Sequence, residues 1–264
     1  MNKIDKLLQI IKNRKTIGLM THVVVGYPTI ADTEKIVLAM EKVGVDFIEL
    51  QIPFSDPLAD GPTIMKACEE SLEHGTKVKD AFLLAKKLSG KVSIPLLFMA
   101  YYNTVFHYGV ERFCEDAKKA GIAGLIVPDM PLEEEDEEHF TEYAEKNDLI
   151  VIRVISPAAT EERLKKNAKV AKGFIYCTAR QGITGAKASL SPDVASYLKG
   201  VRKHFSIPIA VGFGISKKDH IESLKNQADI AVIGSAVIDV IAHSRKEDLD
   251  SNVSAFITKL KMLN

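Results

Sequence analysis

Cysteine is scarce in this sequence. The three present, Cys68, Cys114 and Cys177, are odd in number and scattered. That excludes a disulfide framework and points to reduced thiols in a cytoplasmic protein. Long apolar runs are also missing, and none approaches the ~20 residues of a membrane span. The opening stretch, MNKIDKLLQIIKNRK, is basic and amphipathic but has no apolar signal core and no small-residue cleavage site, so no signal peptide is expected. Charge of one sign is not in excess: Lys plus Arg and Asp plus Glu are both 35. This gives no overall preference for nucleic acid or an anionic membrane. No linker divides the chain, and no repeat is visible beyond an alternation of strands and helices.

What the sequence does hold is apolar material for a large core, 46% of its 264 residues. Eight short apolar stretches read as strands: 17–25, 45–50, 92–100, 122–127, 149–155, 173–177, 207–211 and 230–233. Each is followed by a segment with helical periodicity. The segments are 29–43, 62–73 with 78–88, 110–120, 132–147, 160–171, a helix ending at 205, 216–226, and 236–243 with 249–262. Residues 3–13 form an additional N-terminal helix, with Ile4, Leu7, Leu8 and Ile11 on one face. Near-continuous Val, Ile and Leu runs mean strands buried on both faces, hence a parallel sheet. Eight βα units in this length predict an α/β fold, a single (β/α)8 TIM barrel covering 1–264. The acidic run Glu133–Glu138 falls in the first turns of a helix, where it complements the helix dipole and faces solvent. Arg153 stands inside an apolar strand, as a buried ion-pair member or as a sign that the strand edge is displaced by a residue.

Active sites of such barrels lie at the C-terminal ends of the strands. The second strand ends in VDFIELQIPFSDPLADGP, residues 45–62. It brings Glu49 to a strand end and Asp60 onto the following loop, two acids at one mouth, as acid–base chemistry requires. The same residues also suit a structural role, with Glu49 a paired acid and Asp56 and Asp60 turn or cap residues. Other strand ends carry Gly26, Tyr101, Asp129 and Tyr176. Gly212, Phe213 and Gly214 follow strand seven, and Gly234 with Ser235 follows strand eight, each turn expected to open a helix. Exposed backbone N–H groups at these two turns form the usual phosphate cradle of a barrel. The loop RQGITGAK, 180–187, suits a hinged lid. Competing chemistries fit less well. The strands contain no lysine for a Schiff base. The seven histidines, at 22, 74, 107, 139, 204, 220 and 243, show no metal-ligand spacing, and His22 is expected to be a satisfied core residue. Cys177 has no adjacent histidine in the sequence and reads as a buried, inert thiol.

Taken in order, IELQIPFSDPLADGP (48–62), YYN (101–103), LIVPDMP (125–131), GFIYCTARQGITGA (173–186), VGFGIS (211–216) and VIGSA (232–236) resemble the tryptophan synthase α subunits across nearly the whole chain. The resemblance implies a barrel that cleaves indole-3-glycerol phosphate to indole and glyceraldehyde 3-phosphate, with no cofactor and no metal. It also implies a β subunit that receives the indole, in an α–β–β–α tetramer. By position, Glu49 matches the acid that moves protons between the glycerol hydroxyl and the indole carbon. Asp60 matches the acid that stabilises charge on the indole nitrogen. Tyr176 matches a tyrosine close to Glu49, and Tyr101 and Asp129 are taken as substrate-binding. Thr184 and Gly185 match the lid, whose threonine is linked to Asp60. Gly185, Gly212, Phe213, Gly214, Gly234 and Ser235 match the phosphate region, and Asp56 a loop acid facing the β subunit. Retro-aldol cleavage at an aromatic carbon requires that carbon to be protonated first, which makes the ring nitrogen cationic. A carboxylate at the nitrogen then supplies electrostatic stabilisation. The shuttling acid needs a raised pKa, as a strand-end acid in apolar surroundings would have.

The sequence departs from the family in places. Gln51 stands where glycine is usual, and Tyr27 where an acid is. Thr21 and His22 replace the commoner proline and aromatic, and Thr178 with Ala179 alters the approach to the lid. Gln51 and Tyr27 are expected near the mouth and the partner-facing loops. Two alternatives stand beside the leading reading: a stand-alone indole-releasing lyase without a β partner, and a weakly active regulatory subunit.

Overall fold

The computed structural model describes residues 1–178, 192–212 and 214–261. Eight parallel strands close into a barrel in sequence order. They are β1 (Gly18–Val24), β2 (Phe47–Gln51), β3 (Leu96–Met99), β4 (Gly124–Ile126), β5 (Ile150–Ile155), β6 (Ile175–Thr178), β7 (Ile209–Gly212) and β8 (Ile230–Ile233). The ring closes where Gly18 to Thr21 pair with Ile230 to Ile233.

Alternation along each strand builds two cores. Met20, Phe47, Leu97, Ile126, Ile152, Phe174, Ala210 and Val232 point inward and fill the barrel. Their neighbours Leu19, Ile48, Phe98, Leu125, Val151, Ile175, Val211 and Ala231 point outward into the layer under the helices. Strands covered on both sides carry little polar residue, which is why they read as continuous apolar runs.

The N-terminal helix α1 (Lys3–Arg14) closes the floor. Its Ile4 and Ile11 are buried with the inner core. Asn2 caps it and its Nδ2 also donates to the carbonyls of Ala123 (3.0 Å) and Asp148 (2.8 Å), fixing the helix to the strand starts. Gly124 must be glycine here: a Cβ would stand 2.7 Å from Ile4 Cδ1 and 2.8 Å from the Ile150 carbonyl.

The outer layer is α2 (Ile30–Lys42), α3 (Pro62–Glu73), α4 (Val78–Ser89), α5 (Tyr102–Tyr108), α6 (Val110–Lys119), α7 (Glu135–Glu138), α8 (Phe140–Lys146), α9 (Glu161–Val170), α10 (Pro192–Arg202), α11 (Lys218–Ser223), α12 (Ser235–Ala242) and α13 (Leu249–Lys261). Three departures from the sequence reading stand out. The expected strand 92–100 shrinks to Leu96–Met99, because Pro95 just before it has no N–H for the ladder. Helix α5 occupies the Tyr-Tyr-Asn stretch and beyond, where no helix was expected. The expected helix 132–147 is broken into a 3-10 turn (Leu132–Glu134), α7 and α8. The break falls at His139, which adopts φ +51°, just before the fully buried Phe140. A run of six acids repels itself along a helix, while Phe140 is drawn into the core.

Arg153 lies inside β5 as drawn, so the strand edge is not displaced. Its side chain points outward among buried residues, and Nη2 donates to Thr141 Oγ1 at 2.8 Å.

Candidate functional site

The site grows from the C-terminal ends of β1 and β2. Phe47, Glu49 and Gln51 share the inward face of β2, so the two polar residues follow Phe47 up to the barrel mouth. In register, His22 lies opposite Glu49 on β1. The two are buried, 4% and 2% exposed, and His22 Nδ1 stands 3.4 Å from Glu49 Oε2. Burial by itself would lower the His22 pKa. The Glu49 carboxylate outweighs it, with Asp60 and Gln51 adding, so His22 is raised above its ordinary value.

The loop from 52 to 61 returns Asp60 over this pair. Its turns are set by Leu58 N–H on the Asp56 carbonyl and Asp60 N–H on the Pro57 carbonyl. Gly61 precedes Pro62, the first residue of α3, a position that suits proline because no intrahelical donor is lost. Asp60 Oδ2 accepts two hydrogen bonds, from Gln51 Nε2 (2.7 Å) and Tyr101 Oη (2.8 Å). Tyr101 is itself fixed: its hydroxyl accepts from Ala59 N–H at 3.0 Å, and its ring stacks on Phe54 at 5.3 Å. Burial raises the Asp60 pKa above its ordinary value. His22, Gln51 and Tyr101 oppose that effect without cancelling it.

Across the barrel, Tyr176 on β6 faces both carboxylates. Burial first, then Glu49 and Asp60, push its phenol well above the ordinary range, so it stays protonated. Its hydroxyl lies over Gly212, where a Cβ would come within 3.1 Å. That close approach favours glycine at the end of β7, since a side chain there would have to push the Tyr176 hydroxyl aside. Gly214, just beyond it, adopts φ +63°, a conformation that favours glycine. Gly234 caps α12, and Ser235 is its first residue.

Most of the expected residues therefore converge. Glu49, Asp60, Tyr101, Tyr176 and Gly212 are linked by direct contacts or mutual charge, and Gly234 lies beside His22. Asp129 stands apart. It accepts from Tyr102 N–H at 2.8 Å and lines a cavity of about 600 Å³ between the ends of β4, β5 and β6, which Ala59 and Thr178 also border. Asp56 is exposed at the loop tip, hydrogen-bonded to Ser55, next to Leu58 at 92% exposure. Thr184, Gly185 and Phe213, with the rest of the expected lid at 180–187, lie outside the described residues. Cys177 is buried, and its thiol is pushed up to about 12, as an inert thiol requires.

Two expectations need correction. The turn after β7 does not open a helix directly: Ile215, Ser216 and Lys217 precede α11. The chain first turns at Gly214 and buries Ile215. The other concerns His22, which is not a fully satisfied core residue, since its Nε2 has no hydrogen-bond partner among the described residues. Gln51 lies near the mouth as expected, but on the inward face, where it is fully buried and holds Asp60. The period-two pattern was the available signal for both. Residues 49 and 51 must share a face, and a polar pair on an inward face is costly unless used.

Comparison with known proteins agrees with the barrel. The family described as tryptophan synthase alpha chain matches residues 8–263. The tryptophan synthase alpha chain of Desulfotalea psychrophila is 47% identical over 258 residues, covering 98% of this chain and 99% of that one. The alpha chain of Thermoanaerobacter pseudethanolicus is 40% identical, covering 99% of each. The crystal structure of the alpha chain from Legionella pneumophila superimposes with a TM-score of 0.89 at 27% identity, covering 98% of this chain and 96% of that one. A closed eight-stranded barrel with Glu49 and Asp60 at its mouth, matched along nearly its whole length by these proteins, belongs to the tryptophan synthase alpha chain family.

Proposed function

We propose that Glu49 and Asp60 are the acid–base pair with which this chain, a lyase of tryptophan biosynthesis, cleaves indole-3-glycerol phosphate to indole and glyceraldehyde 3-phosphate. The observation that carries the assignment is the unequal treatment of two carboxylates at one mouth. Glu49 is sunk at the end of β2 against His22, while Asp60 is suspended above it by Gln51 and Tyr101.

The chemistry divides between them. Glu49 delivers a proton to the indole carbon that bears the side chain, and the ring nitrogen becomes cationic. Asp60 faces that nitrogen and stabilises the charge in a buried setting, where a fixed carboxylate acts more strongly than in water. Glu49, now ionised, takes the proton of the glycerol hydroxyl. The carbon–carbon bond breaks, its electrons return to the ring, and indole and the aldehyde separate. The protonated Tyr176 lies against both acids, and the phosphate rests on the backbone of Gly212, Gly214, Gly234 and Ser235. Thr184, Gly185 and Phe213 complete the lid and phosphate region, and Asp129 borders the substrate end of the barrel. No cofactor is assigned to the reaction.

Tyr101 acts through Asp60. Tyr101→Phe removes one of the two donors to Oδ2 and the acceptor of Ala59 N–H. A hydrogen bond to a charged group contributes about 1.5–3 kcal/mol. Turnover is expected to fall about tenfold with KM little changed, measured as indole release.

We place the chain, as one barrel domain, in the cytoplasm, where its three free buried cysteines remain reduced. We also assign it a β subunit in an α–β–β–α tetramer, docked on the loop that carries Asp56 and Leu58. A partner on that loop acts on the placement of Asp60, and a misplacement of about 1 Å costs ~100-fold in rate. Steady-state indole release by the isolated chain, with and without a β subunit, tests this. Asp56→Ala is expected to keep basal activity and lose most of the stimulation. Stimulation at full strength in that variant, or none in the wild type with any β subunit, favours the stand-alone lyase.

A further inference from the structure

His22 and Gln51 have no step in the mechanism above, yet they occupy the space between its two acids. Both are buried, and they stand on neighbouring strands. Three polar atoms at this point are buried without a hydrogen-bond partner among the described residues: His22 Nε2, Glu49 Oε2 and Gln51 Oε1. Their coincidence is informative, because isolated orphans in a folded core are uncommon and orphans that face one another are usually one network. The members of that network lie close together. Glu49 Oε2 is 3.4 Å from His22 Nδ1, Gln51 Nε2 donates to Asp60 Oδ2 at 2.7 Å, and the Gln51 side chain is among the groups that raise the His22 pKa.

We propose that His22 and Gln51 are positioning residues that join the two carboxylates into one hydrogen-bonded chain, Glu49–His22–Gln51–Asp60. It rests on the reading of Glu49 and Asp60 given above. With Glu49 ionised, as it is between its two proton transfers, the donor and acceptor pattern allows a single arrangement. The Gln51 amide is committed to Asp60, so its carbonyl Oε1 is left to accept. Glu49 is an acceptor as a carboxylate. His22 must then donate from both ring nitrogens, which makes it an imidazolium.

The chain has a pH signature. The groups that face His22 are Glu49 on β2 and Asp60 in the loop after it, both anionic when ionised. Tyr176 on β6 faces the same two acids and stays neutral, and Gly234, which follows β8, lies beside the His22 Cβ and carries no charge. The imidazolium is present below its raised pKa and lost as pH rises through it. The linkage between the acids should therefore break on the alkaline side, and kcat/KM should fall there.

The test is a double-mutant cycle joined to a titration, on the full chain. Gln51→Met keeps the volume and removes both polar atoms, and Gln51→Gly is the second variant if Met disturbs folding. His22→Phe removes the imidazole. In 15N spectra the wild-type His22 ring is expected to titrate above pH 6.5, and Gln51→Met to move that titration to lower pH. The alkaline limb of kcat/KM should move with it and vanish in His22→Phe. Gln51→Met should lower kcat about tenfold in the wild type but less than about twofold in the His22→Phe background. An unmoved His22 titration, or the same fold-change in both backgrounds, overturns the proposal. The spectra need no catalysis. Full turnover in Glu49→Gln would sink the assignment of the acids while leaving the titration result standing.

Discussion

Replacing Glu49 by glutamine is expected to lower indole release about 10³–10⁴-fold while the chain stays folded. General acid–base catalysis contributes ~10²–10⁴ to a rate, and here one carboxylate carries two proton transfers in sequence. The fold survives because the substitution is nearly isosteric. Glu49 sits inside β2, and its Oε2 faces His22 Nδ1. A glutamine carbonyl accepts from the same nitrogen, so the contact to His22 is kept. The variant separates binding from chemistry. The phosphate turns at Gly212, Gly214, Gly234 and Ser235 are untouched, so calorimetric affinity for glycerol phosphate should be unchanged. It also has a measurable effect away from the reaction. Without the carboxylate, the main influence that raises His22 is gone, and its titration should move down. Turnover near the wild-type rate in a folded variant would remove Glu49 from the mechanism.

Sequence reading recovers the barrel and its eight strands because a strand buried on both faces has to be apolar throughout. It fails where tertiary packing overrides the local pattern. The acids 133–138 look like an ordinary helix start, but the burial of Phe140 breaks the helix at His139. The short α5 is hidden behind two tyrosines that read as a strand end. The acids were legible too: Glu49 is a charge in an apolar strand, and Asp60 lies on the loop that follows it. The function of Gln51 and His22 was not. Gln51 acquires its meaning only when the loop folds back and sets Asp60 above it, an encounter between residues nine apart that no periodicity encodes. His22 depends on the register of β1 against β2, which is a property of the closed sheet. Tyr101 shows the same limit. That its hydroxyl engages Asp60 and the Ala59 amide follows only from the folded loop.

The second large effect concerns Asp60. Asp60→Asn should lower kcat/KM about 10²–10³-fold, the usual loss when one preorganised group is withdrawn from a developing charge. The shape is retained, since an amide oxygen accepts from Gln51 and Tyr101 as the carboxylate does. What disappears is the negative charge facing the indole nitrogen. The pH dependence gives the sign. Burial raises the Asp60 pKa despite the opposing effects of His22, Gln51 and Tyr101. The active carboxylate is therefore lost as pH falls through a value above the ordinary aspartate range, and the wild type should show an acid limb there. Asp60→Asn should lack that limb at its reduced rate. Stability should move the other way. In the unfolded chain Asp60 ionises near its ordinary pKa, so between that value and its folded pKa the folded state holds more protons, and stability declines as pH rises. Asparagine has no such window. The variant should be at least as stable as the wild type at neutral pH, with a flatter profile from about pH 4 upward. Thermal unfolding across that range checks it. A neutral-pH loss of stability in Asp60→Asn would mean that Asp60 holds the loop together, and that its strained ionisation is not kept for catalysis.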